Sequence, residues 1–371
     1  MIYLDHAASS FPKPKQVIRA VCQNLERNTA NPGRSGHRMS LQAAEAVYQV
    51  RQRLADFFGT QPELVLFCAN ATDAINKAFK GLLNPGDHVI ISDLEHNAVL
   101  RPLNELKKQG VDVSIAVTEP EENRTIGNVL RLIRPQTRLV FCTHASNVTG
   151  RVLPLYRLGK ECRARGILFG ADVSQSAGHL PCRLEDLSAD FLGCPGHKGL
   201  LGPQGTGCLV LIRPLEMKSL IQGGTGGDSL LETQPEFYPE GYESGTLNTP
   251  GILGLGEGVR FVQMHGEQLR RQGEALYQDA YRKLKEIRGI QLYSPEHCGV
   301  PVLSFSFRNF PSEEVTAFLD RNGICVRGGF HCAALTHRKL NTDRHGLVRA
   351  SFGFGNRAED VQKLAYCLKN Y

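Results

Sequence analysis

Short continuous apolar runs alternate with longer amphipathic stretches along the first two-thirds of the chain. The runs at 64–67, 88–92, 111–117, 138–143, 167–171, 191–194 and 208–212 have strand length, and most of the segments between them can hold helices. This alternation predicts an α/β fold with a mainly parallel seven-stranded sheet flanked by helices on both faces. Only a short glycine loop joins the last two runs, a connection that suits an antiparallel final strand. Over 40–58, Leu41, Val47, Val50, Leu54 and Phe57 recur at near-helical spacing after Ser40, which is the expected N-cap.

The pattern changes at 222–254, where glycines, Pro235 and Pro239 replace apolar runs. A long ordered loop of this kind is usually functional. Residues 255–288 read as one long helix. Beyond it, 302–307 alternates, 312–321 is helical, 324–327 and 347–352 are strand-like, and 358–368 closes as a helix. The expected organisation is a large domain over 16–254 and a small α+β domain over 255–371, joined by the N-terminal segment 1–15.

Composition narrows the function classes. The chain has 371 residues, too many for one small core. Its net charge of +6 is spread among acids rather than gathered in runs, which argues against a nucleic-acid partner. No run of about 18 apolar residues exists to span a membrane. The first residues, Met1-Ile2-Tyr3-Leu4-Asp5, lack the basic and apolar regions of a secretion signal, so the cytoplasm is the default expectation. The 11 cysteines include no Cys-x-x-Cys pair and no zinc spacing, and no metal site is expected.

Candidate chemistry centres on Cys194-Pro195-Gly196-His197-Lys198, which follows an apolar run and precedes Gly199, Gly202, Gly205 and Gly207. Alone, Gly-His-Lys better fits a surface lysine in a glycine-rich turn. Asp172 alters the balance, because it ends the apolar run 167–171. A buried carboxylate facing a pyridinium nitrogen is the usual partner of a lysine that holds pyridoxal 5'-phosphate (PLP). Asp172-Val173-Ser174-Gln175 followed by Gly196-His197-Lys198 resembles the class V, fold-type I PLP enzymes, and within them the cysteine desulfurases and selenocysteine lyases. The resemblance runs from Tyr3-Leu4-Asp5-His6-Ala7-Ala8 to Arg349-Ala350-Ser351, nearly the whole chain.

That resemblance implies the PLP-dependent transferase fold and a role for each matched residue. Lys198 would bind PLP covalently, Asp172 would face the ring nitrogen, and Gln175 and Asn147 would reach the ring hydroxyl. His96, in Asp93-Leu94-Glu95-His96-Asn97, would stack on the ring and act as acid or base. Ala71 and Thr72 open a helix after the strand ending near Phe67, a start suited to phosphate. The family carries Gly-Thr-Thr-Glu there and a hydroxyl residue where this chain has Pro195, so two hydroxyls are missing. Asn70 is a candidate substitute, and His197 remains a phosphate donor. Thr246, in Glu243-Ser244-Gly245-Thr246, matches a segment that reaches the phosphate of a second subunit. Arg349 would hold the substrate carboxylate together with Asn147.

Cys332 follows Val326-Arg327-Gly328-Gly329-Phe330-His331, a short stretch closest to the group II desulfurases. Thiols beside cationic groups are held partly as thiolate, the reactive form, so Cys332 is the expected nucleophile. The glycine pair suggests a mobile hinge for it. Cys325 is expected to be a packed strand residue. The implied activity is conversion of L-cysteine to L-alanine by a homodimer, with sulfur passing to Cys332 as a persulfide and on to an acceptor protein. Selenocysteine lyase or another class V lyase or epimerase remains open on the same residues, as does a PLP-bound sulfur-carrier scaffold.

Overall fold

The computed structural model describes residues 1–371 apart from 34, 228 and 309. The chain opens with β1 (Ile2–Tyr3), followed by helices α1 (Lys15–Arg27) and α2 (Arg38–Phe58). Then come β2 (Val65–Cys68), α3 (Ala71–Leu82), β3 (His88–Ser92), α4 (Asn97–Lys107), β4 (Asp112–Ala116), α5 (Glu122–Arg131) and β5 (Thr137–Thr143). Next are α6 (Leu155–Arg163), β6 (Leu168–Asp172), the short α7 (Leu184–Leu187), β7 (Phe191–Pro195) and β8 (Gly207–Leu211).

The expected α/β fold is present. Strands β2 to β8 form one seven-stranded sheet in the order β2-β8-β7-β6-β5-β3-β4. Its pairings are parallel except those of β8, which runs antiparallel to both β7 and β2. Two apolar clusters cover the two faces, one containing Ile90, Val140 and Phe169, the other Val89, Phe141 and Leu168. Consecutive strand residues thus enter opposite cores, which explains why these strands read as unbroken apolar runs.

The 37-residue helix α8 (Thr249–Lys285) leaves this sheet, with Asn248 accepting from Gly251 N at its start. It begins inside the segment read as loop, because the capping asparagine sets the start, not the apolar pattern. Then follow β9 (Ile290–Leu292), β10 (Val302–Phe307), α9 (Ser312–Arg321), β11 (Ile324–Cys325), α10 (Ala334–Lys339), β12 (Val348–Ser351) and α11 (Ala358–Lys369). Strands β12-β10-β9 form an antiparallel sheet, and β1 pairs in parallel with β11, which ties the N-terminal segment to this region.

The cap of α2 differs from expectation. His37 is the N-cap, its Nδ1 accepting from Ser40 N at 3.3 Å. Ser40 is buried, and its hydroxyl donates to Asn31 O at 2.7 Å. It serves the preceding loop rather than the helix. Among the described residues no helix is long and apolar enough to cross a membrane, and no cluster of ligating side chains could hold a metal.

Candidate active site

Parallel strands present their C-terminal ends on one side of a sheet, where ligands collect. Here those ends deliver α3 after β2, His96 after β3, Asn147 after β5, Asp172 closing β6, and Lys198 after β7. Together with Ala71, Thr72, Gln175, His197 and Arg349 they line one cavity of about 210 Å³. A larger cavity, about 400 Å³, lies between α2 and the 225–247 loop and takes in none of these residues.

Lys198 is lowered to about 8, chiefly by burial, against the opposing pull of Asp172. An amine so placed is a competent nucleophile near neutral pH. Asp172 is 3% exposed and accepts from Ser174 N at 2.8 Å through one carboxylate oxygen. His96 caps α4, its Nδ1 accepting from Ala98 N at 3.0 Å. Burial first, then Lys198, lowers it to about 4. The ring is therefore neutral with its proton on Nε2, a form suited to stacking and to donating a hydrogen bond. Its Nδ1 lone pair, being occupied by the cap, is not a free base.

The phosphate end is built mainly from backbone. The Asn70 side chain accepts from Asp73 N at 2.9 Å, so it caps α3 and its carbonyl replaces no missing hydroxyl. The amides of Ala71 and Thr72 remain, beyond reach of any helix carbonyl. A Cβ on Gly207 would lie 2.7 Å from Cys194 O and 3.0 Å from the Asn70 backbone, so this glycine lets the α3 entrance approach β7. His197 Nδ1 is buried without a partner. An orphaned ring nitrogen beside two free amides fits an anion, and the residues present thus suit a phosphate despite Ala71 and Pro195.

Arg349 is 1% exposed. Its Nη2 donates to Asp5 Oδ1 at 2.9 Å and its Nη1 to Asn147 O at 2.9 Å, while Nε is buried without a partner. The orphan nitrogen is the natural contact for a carboxylate entering the cavity. Asn147 Nδ2 donates to His331 O at 2.8 Å, and Gln175 Nε2 to Ala7 O at 3.0 Å. Each amide therefore has one N–H and its carbonyl left for a ligand.

Cys332 is exposed and does not line the cavity, although its neighbours His331 and Arg327 do. Arg327 Nη2 stands 3.7 Å from Cys332 Sγ. The glycine pair before it is not a free hinge. A Cβ on Gly328 would meet Thr316 Oγ1 at 2.6 Å, and Gly329 N donates to Ser312 Oγ at 3.0 Å. These glycines allow close approach and a positive φ (97° at Gly329), and the loop is pinned.

Thr246 is exposed and lies away from this cavity. Its loop is anchored through Glu243, which receives both guanidinium nitrogens of Arg51 at 2.8 and 2.7 Å and Phe67 N at 2.5 Å. Cys325 is half-buried in β11.

Sequence reasoning passed over Asp5, Arg51 and Glu95 as contributors. Glu95 is fully buried, accepts from Ser92 Oγ and from Thr143 N (2.8 Å), and keeps Oε2 without a partner. Its signal was a carboxylate close behind the apolar run 89–91, with Leu94 beside it.

The chain matches the family model described as "Aminotransferase class-V" over residues 2–364. It is 32% identical to a "Probable cysteine desulfurase" of Methanothermobacter thermautotrophicus, with 99% of this chain and 94% of the relative aligned. It is 30% identical to "Cysteine desulfurase IscS" of Tolumonas auensis, over 97% and 90%. The apo structure of a cysteine desulfurase from Thermococcus onnurineus superposes with a TM-score of 0.91 at 31% identity, covering 100% of this chain and 94% of the other. The cysteine desulfurase CsdA of Escherichia coli gives 0.87 at 26%, covering 99% and 94%. The α/β architecture, the lysine and carboxylate at adjoining strand ends and these full-length similarities place the chain in the class-V aminotransferase family, among the cysteine desulfurases.

Proposed function

We propose that this protein is a PLP-dependent cysteine desulfurase that converts L-cysteine to L-alanine and takes the sulfur on Cys332. The observation that carries this reading is the convergence of Lys198, Asp172, His96, Gln175, Asn147 and Arg349 on one cavity, with Cys332 joined to it through Arg327. Asp172, Gln175, Asn147 and His96 would hold the ring of PLP. The first amides of α3, Thr72 and His197 would hold its phosphate, and Lys198 would bind it covalently. Once bound, PLP supplies an electron sink for the carbanion left when the substrate loses its α-proton.

Lys198, its amine lowered to about 8, takes that α-proton. Arg349, fixed by Asp5 and Asn147, orients the substrate carboxylate with Nε and excludes other poses. Cys332 attacks the substrate sulfur. An S–S bond forms as the Cβ–S bond breaks, so L-cysteine plus thiol becomes L-alanine plus persulfide. A thiol or an acceptor protein then removes the terminal sulfur.

A second copy of the chain is part of this reading. Ile18, Leu25, Met39, Leu41 and Tyr48 are exposed on α1 and α2, an apolar surface of the kind that subunits cover. The exposed Thr246 is then available to the neighbour's phosphate site. The test is to incubate the purified protein with L-cysteine, with and without a thiol reductant, and measure alanine and sulfide. Alanine in both, with free sulfide strongly raised by the reductant, is expected. No alanine in either would overturn the proposal.

A further inference from the structure

His331 and Cys332 both adopt left-handed backbone, with φ of 50° and 52°. Non-glycine residues there are strained and persist only where surroundings hold them. The backbone is held by two bonds, Asn97 N to Cys332 O at 2.7 Å and Asn147 Nδ2 to His331 O at 2.8 Å. The side chains add a third restraint that the desulfurase reading does not use.

His331 is 2% exposed and His337 1% exposed, their rings stacked 5.5 Å apart at 14°. His331 Nε2 lies 3.1 Å from Arg327 O, His331 Nδ1 lies 3.3 Å from His337 Nε2, and His337 Nδ1 lies 2.8 Å from Thr342 Oγ1. A carbonyl can only accept, so His331 carries its proton on Nε2. Burial lowers both rings from their ordinary values and keeps them neutral, so His331 Nδ1 accepts from His337 Nε2–H. His337 Nδ1 then accepts from the Thr342 hydroxyl. Every donor in the chain points toward Arg327 O, and no polar atom of either ring is left over.

The chain's end point gives it a purpose. Arg327 is the residue whose guanidinium meets the Cys332 thiol, and His331 immediately precedes that cysteine. Arg327 also exchanges two backbone hydrogen bonds with Arg349, at 3.1 and 2.8 Å. The ring of His331 therefore closes the segment 327–332 into a fixed unit carrying the thiol, its guanidinium neighbour and the attachment to the carboxylate-binding arginine.

We infer that His331 and His337 are positioning residues for sulfur transfer, a relay of hydrogen bonds that starts at Thr342 and holds the Cys332 thiol against Arg327. The inference rests on the desulfurase reading for its consequence in turnover, but not for the placement of the thiol. The test compares His337→Phe, which removes both hydrogen bonds, with His337→Gln, whose amide can still donate to His331. Two rates are measured on the PLP-loaded protein: alkylation of Cys332 by iodoacetamide, followed by peptide mass spectrometry, and alanine release.

His337→Phe is expected to slow both rates about tenfold, the scale of one or two lost buried hydrogen bonds. The L-cysteine concentration that gives half of the change in PLP absorbance on adding substrate, a readout of binding, should not move. His337→Gln is expected to recover most of each rate. Where His337→Phe does not fold, Thr342→Val removes the first donor at constant shape and should slow alkylation in the same direction. Unchanged alkylation in His337→Phe, or in Thr342→Val where that variant stands in for it, overturns the inference. Equal loss in the Phe and Gln variants does so too. Wild-type protein that releases no alanine defeats the desulfurase reading instead, while alkylation still reports on the relay.

Discussion

Glu95 offers a prediction whose size follows from its surroundings. Burial raises its carboxyl to about 8 from an ordinary 4.5, with Asp172 adding to the rise and the bonds from Ser92 and Thr143 opposing it. Between pH 4.5 and 8 the native protein therefore keeps a proton that the unfolded chain has already released. The stability associated with that proton is complete below 4.5 and is lost as pH rises through 8. A gap of 3.5 pH units at 1.36 kcal/mol each makes the whole loss about 5 kcal/mol, and the part between pH 5.5 and 7.5 about 3 kcal/mol. Glu95→Gln keeps an oxygen to accept from Ser92 and Thr143 but has no proton to lose. Its stability relative to wild type should accordingly climb by about 3 kcal/mol from pH 5.5 to 7.5. The chain contains no tryptophan, so urea unfolding of the PLP-loaded proteins is best followed by far-ultraviolet circular dichroism. A difference between the two proteins that stays constant with pH would refute the reasoning and would mean that Glu95 is ionised in the fold.

Two further predictions concern the ligands. Pro195→Ser restores an N–H and a hydroxyl beside the cavity and should tighten PLP binding by about 1 kcal/mol; a titration of apoprotein showing equal or weaker affinity would count against an under-supplied phosphate cup. Arg349→Lys keeps the charge but loses the planar fork that spans Asp5, Asn147 and the substrate, so kcat/KM for L-cysteine should fall about 10²-fold with PLP absorbance intact. Steady-state kinetics that match wild type would remove Arg349 from the carboxylate site.

Much of the architecture was legible because a sheet buried on both faces writes itself as apolar runs of strand length. The antiparallel return of β8 was legible from the short glycine loop before it. Helix α1 was not, because Ile18 and Leu25 on it are exposed while Asn24 is buried, which blurs the apolar stripe. The start of α2 was misread because Ser40, a good capping residue by type, bonds the preceding loop instead. Motif residues could be placed, but their partners could not. That Asn70 is spent on capping α3, that Gly328 and Gly329 are packed, and that Arg349 is fixed by Asp5, 344 positions away, are facts of tertiary contact, to which local sequence is silent. The same holds for His337, which sits on a short helix, α10, that no pattern announced.

The central claim is that Cys332 receives the sulfur of L-cysteine while Lys198 and its cavity carry the cofactor chemistry. It is tested most directly by mixing the PLP-loaded protein with one equivalent of L-cysteine in the absence of reductant, then mapping the added sulfur by peptide mass spectrometry beside the alanine released. One extra sulfur on the peptide containing Cys332, matching alanine mole for mole and absent in Cys332→Ala, is the predicted result. Full alanine release by Cys332→Ala, or the sulfur found on another cysteine, would contradict it.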